Sequence, residues 1–363
     1  MPSYKTLGLM SGTSMDGIDV AYCIFYHIKG VWSFHLPHAQ TYPYSKEWQQ
    51  TLASIQKQSA WSYVEAHRAY GKLLGDTVLD FCKATTASPM LIASHGHTIF
   101  HRPPLLTSQL GCGATLAAKT RRLVVSDIRS LDVAKGGQGA PLVPIGDQLL
   151  FSKYDFCLNL GGFANVSYDC EGKRIAFDIC PFNTVINDLY VKAHPASMLS
   201  YDKGGAYTAT GHVNKELLEA LNNIEFYKKK PPKSLAREWK EAIFMPVVDQ
   251  FTHVDIKDKL RTIVEHQAIQ ISRVFKTVKN NGSILITGGG AYNTFFIETL
   301  KAKCPNYELI IPESKIIDFK EALIFAFIGL LRYLEQINCL KDVTGATSNS
   351  CCGAIYDGRE PFF

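Results

Sequence analysis

Near the start of the chain lies Gly8-Leu-Met-Ser-Gly-Thr-Ser-Met-Asp-Gly-Ile-Asp19, in which an apolar run meets a second β-type run through a turn rich in glycine and hydroxyl groups. The glycines at 12 and 17 permit positive φ and close backbone approach, and Ser11, Thr13 and Ser14 add hydroxyl donors. A turn of this composition suits phosphate oxygens. It lacks the Gly-Lys-Ser/Thr ending of a Walker loop, which excludes a P-loop NTPase.

An acidic residue, Asp16, lies within this turn. It would repel a phosphate group unless a divalent cation bridges the two, so we predict Mg²⁺ near Asp16 or Asp19. We predict nucleotide contacts along the whole stretch, at Gly12, Thr13, Ser14, Met15, Asp16, Gly17, Ile18 and Asp19. Taken alone, the stretch also fits an ordinary serine- and glycine-rich hairpin turn.

Two further glycine turns follow apolar runs, at Asn159-Leu-Gly-Gly-Phe-Ala-Asn165 and Thr287-Gly-Gly-Gly-Ala-Tyr-Asn293. Three consecutive glycines leave flat backbone against which a planar base can lie. Two phosphate-type hairpins followed by an adenosine-type loop is the layout of the actin, hexokinase and Hsp70 nucleotide-binding fold, in which ATP lies in a cleft between two lobes. We therefore predict further nucleotide contacts at Gly161, Gly162, Asn165, Gly288, Gly289 and Gly290.

Hydrophobic periodicity indicates an α/β protein. Short apolar runs, typical of buried strands, occupy residues 6–10, 90–94, 122–126, 156–160 and 283–287. Longer segments with helical periodicity lie between them, at 61–84, 260–279 and 321–337. In α/β sheets ligands bind beyond the carboxyl ends of the strands, where the glycine turns stand.

Length and internal similarity both indicate two lobes. A chain of 363 residues exceeds what one small core usually organises. Segments 8–21 and 158–167 both read as a strand, a glycine-rich turn and more β-type sequence, which is a weak internal echo. We predict an N-terminal lobe over 1–131, with 350–363 as a candidate completing segment, and a C-terminal lobe over 132–349.

Composition argues against nucleic-acid and membrane partners. Hydrophobic residues make up 46% of the chain and charged residues 20%, and the net charge of +5 is scattered, whereas nucleic-acid binding needs a denser basic face. Without a signal-peptide pattern or a run of about eighteen apolar residues, we expect a cytoplasmic location. The ten cysteines form no Cys-x-x-Cys pair, which favours free thiols over disulfides or zinc. A Rossmann dehydrogenase is disfavoured, since no Gly-x-Gly-x-x-Gly opens a helix after the first strand.

Several strings, taken in order from residue 7 to about 355, resemble the anhydro-N-acetylmuramic acid kinase family. Besides the three glycine turns they are His95-Gly-His-Thr98, His101-Arg-Pro103, Gly136-Gly-Gln-Gly-Ala-Pro-Leu-Val-Pro144, Lys320-Glu-Ala322 and Val343-Thr-Gly-Ala346. The resemblance implies an enzyme that uses ATP and Mg²⁺ to cleave the 1,6-anhydro ring of anhydro-N-acetylmuramic acid and phosphorylate O6. The product is N-acetylmuramic acid 6-phosphate, within cell-wall recycling. A homodimer is also implied.

Two catalytic carboxylates are implied by the same resemblance. Asp178 stands at the position of the family's catalytic aspartate, the general base for the water that attacks C1. Glu321 matches a carboxylate that helps hold the sugar and this water. From the residues alone, Asp178 also fits a turn aspartate that caps a helix, and Glu321 a helix N-terminal glutamate favoured by the macrodipole.

The resemblance further implies sugar contacts at five residues, His95, His97, Thr98, Asp127 and Gln138. Relatives usually carry glutamine where His97 stands, and both side chains can donate and accept hydrogen bonds. Asp127 and Arg129 read equally well as an internal ion pair. Gln138 and Pro141 are candidates for a hinge, since glycine-rich segments absorb large changes in backbone angles.

The main departure from the family lies next to Asp178. Ile179, Cys180 and Phe182 stand where many relatives have Thr-Gly-Pro-Gly-Asn, and only Pro181 and Asn183 are retained. We interpret this as variation in the wall of the sugar pocket. A kinase for another sugar on the same fold and a catalytically silent ATP-binding relative remain the alternatives.

Overall fold

A computed structural model of the protein describes residues 3–12 and 15–360. The chain divides into two compact units, of which unit 1 comprises Met1–Phe151 with Phe319–Phe363 and unit 2 comprises Ser152–Asp318. Each unit has its own β-sheet, and helices connect the strands. The predicted α/β class and the division into two parts are therefore confirmed.

The sheet of unit 1 has seven strands in the order β12-β6-β4-β1-β2-β3, with β5 paired to β4. Its strands are β1 (Ser3–Ser11), β2 (Gly17–Ile28), β3 (Val31–Pro43), β4 (Leu91–Arg102), β5 (Leu106–Leu110), β6 (Leu123–Ser126) and β12 (Ala354–Asp357). The sheet of unit 2 has five strands in the order β11-β10-β7-β8-β9. They are β7 (Phe156–Leu160), β8 (Phe163–Cys170), β9 (Lys173–Pro181), β10 (Gly282–Thr287) and β11 (Tyr307–Ile310).

The two sheets share one topology. In unit 1, β3, β2 and β1 form an antiparallel meander and β1, β4 and β6 run parallel. In unit 2, β9, β8 and β7 form the same meander and β7, β10 and β11 run parallel. The weak echo between segments 8–21 and 158–167 thus corresponds to two equivalent hairpins, β1–β2 and β7–β8. In each sheet the parallel strands end at one edge, where ligands of α/β proteins bind. The first glycine turn follows β1 in unit 1, and the other two follow β7 and β10 in unit 2.

Helices fill the connections. In unit 1 they are α1 (Lys46–Ser54), α2 (Ala60–Thr85), α3 (Gly113–Thr120), α4 (Ser130–Ala134), α5 (Pro144–Leu150) and α13 (Lys341–Thr344). In unit 2 they are α6 (Asn183–Ala193), α7 (Lys215–Asn222), α8 (Arg237–Trp239), α9 (Met245–Gln250), α10 (Ile256–Val278) and α11 (Thr294–Lys303). The helix α12 (Ser314–Tyr333) begins in unit 2 and continues into unit 1. Within the described ranges, no helix combines the length and apolarity that a membrane crossing requires.

Close contacts with glycine fix α12 on the first sheet. A Cβ atom on Gly8 of β1 would overlap the backbone carbonyl of Ala322, and one on Gly329 would overlap Ala93 of β4. Both positions therefore require glycine for helix and sheet to approach this closely. Since Ala322 follows Glu321, this contact also sets where Glu321 lies along β1.

The domain boundaries differ from those predicted, at 151/152 and 318/319 instead of 131/132 and 349/350. Residues 132–151 stay with unit 1 because the ring of Phe151 packs on Phe34 of β3, with centroids 5.4 Å apart. The C-terminal half of α12 also returns to the first sheet, where Phe327 packs on Phe25 at 5.1 Å. These contacts join segments far apart in the chain, and they place residues 132–151 and 319–349 in unit 1.

Candidate active site

The turn after β1 is held at both of its ends by Tyr44. The phenol oxygen of Tyr44 lies 2.6 Å from the Oγ of Ser11, at the end of β1. Its backbone N–H donates to the carbonyl of Asp16 at 3.2 Å, directly before β2 begins at Gly17. A Cβ on Gly17 would overlap the carbonyl of Tyr42, so this position requires glycine.

The predicted nucleotide contacts of this turn are placed only in part. Thr13 and Ser14 lie outside the described residues. Gly12 is half-buried, and Met15 adopts a left-handed backbone with φ of 56°. The side chain of Ile18 is buried in the core, so a nucleotide would reach only its backbone.

In unit 1 the charge of Asp19 acts on the carboxyl of Glu321. Asp19 on β2 is half-buried and accepts a hydrogen bond from the hydroxyl of Thr41. Desolvation by the surrounding protein raises the pKa of the Glu321 carboxyl, although the residue itself is exposed to solvent. Arg129 and Lys320 oppose this shift, and Asp19 adds to it. Glu321 is the eighth residue of α12, so the alternative of an N-terminal glutamate in the helix dipole is wrong.

Arg129, whose charge acts on Glu321, is held rigidly by hydrogen bonds. Its Nε and one terminal nitrogen lie 2.9 and 2.7 Å from the Nε2 of His95, and the other terminal nitrogen donates to the carbonyl of Gly139. Burial lowers the pKa of Arg129 to about 10, while Glu321 raises it. The guanidinium therefore stays charged at neutral pH.

His95 contacts Arg129 through Nε2, and its Nδ1 is held by the backbone. Its Nδ1 donates to the carbonyl of Gly96 at 2.9 Å, which leaves Nε2 unprotonated to accept from Arg129. Burial and the charge of Arg129 keep the pKa of His95 well below its usual value. Asp127 does not take the place of His95 in this arrangement, because its exposed carboxylate accepts from Ser130. The alternative of an Asp127–Arg129 ion pair is therefore not realised.

A polar cavity of about 240 Å³ opens within unit 1, beside residues 94–96 of β4 and the carboxyl end of β6. It is lined mainly by His67, Ser94, His95, Gln109, Ser126, Asp127 and Ser130. The Oγ of Ser94 is buried and has no hydrogen-bond partner among the residues at 3–12 and 15–360. Such a group favours a ligand with a hydroxyl or amide.

Two other predicted sugar contacts, Thr98 and Gln138, do not line this cavity. The hydroxyl of Thr98 accepts from Gln109 at 3.4 Å. Gln138 is exposed, and its backbone N–H donates to the carbonyl of Thr344 at 2.8 Å. The buried carboxylate of Asp132 holds the same loop by accepting from the N–H of Gly139 at 2.8 Å. Because this loop lies inside unit 1, it is not at the unit boundary where the hinge was predicted.

In unit 2 a row of polar side chains crosses the sheet. Asn165 on β8 is the Cα partner of both Asn159 on β7 and Asp178 on β9. Directly opposite residues share a face of a sheet. All three are half-buried, whereas their chain neighbours, including Phe177 and Ile179, are buried in the core. Alternation along three strands thus places two amides and a carboxylate side by side.

Asp178 is oriented by the segment before α8. Its Oδ2 accepts from the backbone N–H of Leu235 at 2.7 Å, and its own N–H donates to the carbonyl of Lys233 at 3.1 Å. Desolvation raises the pKa of the Asp178 carboxyl, and the Leu235 hydrogen bond partly offsets the shift. The helix α6 begins without a side-chain cap, so the alternative of a capping aspartate is wrong.

The two glycine turns of unit 2 lie together. The carbonyl of Gly162 accepts from the backbone N–H of Phe182 at 2.9 Å, and the side-chain amide of Asn183 donates to the carbonyl of Leu160 at 3.0 Å. A Cβ on Gly288 would lie 2.6 Å from the Oδ1 of Asn159. The turn at 161–162 and the loop at 288–290 therefore pack around the ends of β7 and β10. Asn165 is close to both, because it pairs with Asn159 near the end of β7.

Oxygen ligands are present where Mg²⁺ was predicted. In the described part of the chain, no three His, Cys, Asp or Glu side chains cluster to hold a metal ion by themselves. Mg²⁺ is usually held by one or two carboxylates together with substrate phosphates. Asp16 is exposed and Asp19 half-buried, and both offer such oxygens. This donor set fits a Mg²⁺ that arrives with a nucleotide.

Comparison with known proteins decides the family. A family model described as anhydro-N-acetylmuramic acid kinase matches residues 4–358. The chain belongs to the anhydro-N-acetylmuramic acid kinase family. The proteins of that name from Photobacterium profundum and Sulfurovum are 32% and 33% identical to it, covering 97% and 98% of this chain and 98% and 100% of their own lengths.

Solved structures are more distant. An activator of 2-hydroxyisocaproyl-CoA dehydratase from Clostridium difficile, with bound ADPNP, is 12% identical, with a TM-score of 0.44 over 91% of this chain and 96% of its own. A ROK hexokinase from Thermus thermophilus is also 12% identical, with a TM-score of 0.40 over 90% of this chain and 99% of its own.

The departure from the anhydro-N-acetylmuramic acid kinase pattern is absorbed by the core. Ile179, Cys180 and Phe182 are 2%, 0% and 0% exposed and belong to the apolar core of unit 2. The ring of Phe182 packs edge-on against Phe296 at 4.6 Å and lies where a Cβ on Gly290 would be. The predicted variation in a pocket wall is therefore corrected to a change beneath the glycine loop.

Several residues of the site were not among the predicted contacts. Tyr44, Asn159 and Asn183 all take part, as the hydrogen bonds and strand pairings above show. Asn159 carried a signal, because it opens the second glycine turn in register with Asn165. Tyr44 carried none, since its role depends on β3 pairing with β2.

Proposed function

We propose that the protein uses ATP to open 1,6-anhydro-N-acetylmuramic acid and phosphorylate O6, giving N-acetylmuramic acid 6-phosphate in cell-wall recycling. Membership of the family supports this reaction. The observation that carries the chemical part is Asp178, a half-buried carboxylate with one oxygen fixed by a backbone N–H and a raised pKa.

Asp178 is proposed as the general base. The hydrogen bond from Leu235 fixes its Oδ2, so the carboxylate has one orientation in which to accept a proton from water. Partial desolvation makes the carboxylate more basic than an exposed aspartate. As the water oxygen bonds to C1, the C1–O6 bond breaks and a water proton passes to Asp178.

Glu321 and Arg129 are proposed to bind the sugar or its attacking water. The positive charge of Arg129 interacts with the carboxylate of Glu321 within unit 1. Hydrogen bonds to His95 and to the carbonyl of Gly139 fix the guanidinium. A fixed guanidinium orients an oxygen-rich ligand at low entropic cost. The cavity lined by His95 and Asp127 offers neutral polar groups for part of the same sugar.

The glycine turns of both units are proposed to bind ATP, with phosphates at residues 12–19 and 161–162 and adenosine at 288–290. When bound with the nucleotide, Mg²⁺ would neutralise charge on the phosphates. Asp16 and Asp19 would hold it. The released O6 then forms a bond to the γ-phosphorus, and ADP leaves.

An assay of purified protein tests this proposal. With Mg·ATP and 1,6-anhydro-N-acetylmuramic acid, we expect equal amounts of ADP and N-acetylmuramic acid 6-phosphate by mass spectrometry. Open-ring N-acetylmuramic acid serves as the matched control, because it lacks the bond whose cleavage releases O6. Turnover of the open-ring sugar alone would indicate an ordinary sugar kinase, and nucleotide binding without turnover a silent relative.

A cytoplasmic homodimer is part of the proposal and rests on the family resemblance alone. Size-exclusion chromatography with light scattering would check the dimer. A mass of one chain, 40.4 kDa, at micromolar concentration would contradict it.

A further inference from the structure

A buried chain of hydrogen bonds runs beneath the turn between β1 and β2. The Nδ1 of His97 lies 2.7 Å from the Oγ of Ser11, which lies 2.6 Å from the hydroxyl of Tyr44. The hydroxyl of Tyr44 contacts that of Tyr70. All four side chains are less than a tenth exposed, so water cannot replace any of these hydrogen bonds.

The backbone explains why His97 meets Ser11. The strands β1 and β4 pair regularly up to Leu9 and Ser94, and the register then shifts so that Ser11 is opposite His97. Gly96, with φ of 73°, forms the irregularity. Such bulges redirect a side chain, and here the imidazole is directed at the last residue of β1.

The four hydrogen-bonded side chains are uncharged at neutral pH. Burial lowers the pKa of His97 and raises the pKa of both tyrosines. Hydrogen bonds between neutral groups in a dry interior hold their geometry well when every member has a partner. Tyr44 then transmits this fixed geometry to the far end of the turn, through its N–H to the carbonyl of Asp16.

We propose that Tyr44 and His97 are positioning residues for nucleotide binding, which fix Ser11 and Asp16 at the two ends of the phosphate-binding turn. This inference rests on the proposed function of that turn. Neither side chain is proposed to touch the nucleotide. They act because Ser11 and Asp16, held in place before the nucleotide arrives, lose less conformational entropy when it binds.

The test is nucleotide affinity, measured by calorimetry with a non-hydrolysable ATP analogue and Mg²⁺ in the absence of sugar. Tyr44→Phe removes only the central hydroxyl, and His97→Leu removes the ring nitrogens. We expect each to weaken binding by about tenfold, the scale of one lost hydrogen bond of this kind. His97→Gln can still bond Ser11 and should stay within about threefold of the wild type.

Tyr307→Phe is the matched control. It removes another largely buried tyrosine hydroxyl, which lies on β11 of unit 2 and donates to the carbonyl of Lys279 after α10. It should lower thermal stability as Tyr44→Phe does, and leave analogue affinity unchanged. The KM for the sugar should stay within about twofold in Tyr44→Phe and Tyr307→Phe, since neither hydroxyl is proposed to touch the sugar.

Wild-type analogue affinity in Tyr44→Phe would overturn the inference, even if His97→Leu failed to fold. If Tyr44→Phe raised the KM for the sugar by the same factor as it weakened analogue binding, the inference would also be overturned. Such a result would indicate a general destabilisation of unit 1. Wild-type protein that binds the analogue without turning over the sugar would contradict the proposed reaction and leave this inference standing. Wild-type protein that binds no analogue would overturn both.

Discussion

At the scale of single residues, Asp178 and Glu321 are carboxylates whose basicity is raised by desolvation and moderated by different neighbours. The upward shift in the pKa of Asp178 is partly offset by the hydrogen bond from the N–H of Leu235. The shift in the pKa of Glu321 is partly offset by the positive charges of Arg129 and Lys320. A backbone dipole is fixed, but a charged side chain can be changed by mutation. The two acids can therefore be distinguished experimentally.

The first prediction concerns pH. If ionised Asp178 and Glu321 are both needed, kcat/KM should fall as pH drops through their folded pKa values. Both values are raised, so this acid limb should lie above the usual pKa of exposed aspartate and glutamate, about 4. A pH–rate profile with anhydro sugar and Mg·ATP measures it. A rate that stays constant down to about pH 4 would contradict this assignment.

The second prediction concerns Arg129. Replacing it with methionine removes a charge that lowers the pKa of Glu321, so the acid limb should move to higher pH. Arg129→Lys keeps the charge and should leave the limb in place. Because lysine cannot reach both His95 and Gly139, kcat/KM should still fall by about tenfold or more.

Arg332→Met is the control for Arg129→Met. Arg332 is also half-buried in unit 1 and donates to a backbone carbonyl, that of Gly353. It should leave the pH profile unchanged. An identical acid limb in Arg129→Met and wild type would show that Glu321 does not set the limb.

At the scale of elements, β1 and α12 form the part of unit 1 that positions Glu321. Gly8 lets the helix backbone approach the strand, and a Cβ there would overlap the carbonyl of Ala322. The helix must move to accommodate any side chain. Its neighbour Glu321 would move with it.

The third prediction is that Gly8→Ala costs about 1–3 kcal/mol of unfolding free energy, typical of overpacking. Gly8→Ala should also lower kcat/KM for the sugar by a larger factor than it lowers the affinity for nucleotide. Chemical denaturation and steady-state kinetics measure the two effects. Gly172→Asn is the control, because Gly172 lies in an exposed turn at φ of 76° with nothing near its Cβ position, and asparagine tolerates this backbone. Equal stability of Gly8→Ala and wild type would contradict the close contact.

Strands and turns were the part of the fold that sequence could predict. The five predicted runs are all strands, because apolar runs bounded by turn residues depend on local sequence. The start of α12 was missed by seven residues, since Ser314–Asp318 mixes polar and apolar side chains. Because side chains alternate along β9, Ile179 lies on the core face when Asp178 lies on the other face. The family resemblance of the sequence suggested a pocket wall instead.

At the scale of the whole molecule, two sheets of one topology carry different parts of the proposed chemistry. Unit 1 holds the first glycine turn, Glu321 and Arg129, and unit 2 holds Asp178 and the other two glycine turns. Which segments belong to each unit depends on contacts between residues distant in the chain, such as Phe34 with Phe151. Sequence periodicity contains no signal for such pairings, so the boundaries could not be predicted from it.

The central claim is that Asp178 activates the water that opens the anhydro ring. The most direct test compares wild type with Asp178→Asn, which keeps the size of the side chain and an oxygen for the N–H of Leu235. Single-turnover formation of N-acetylmuramic acid 6-phosphate should be lost in the variant, by about a thousandfold or more. Affinity for the ATP analogue should stay within about twofold. A variant that forms the product at the wild-type rate would contradict the claim.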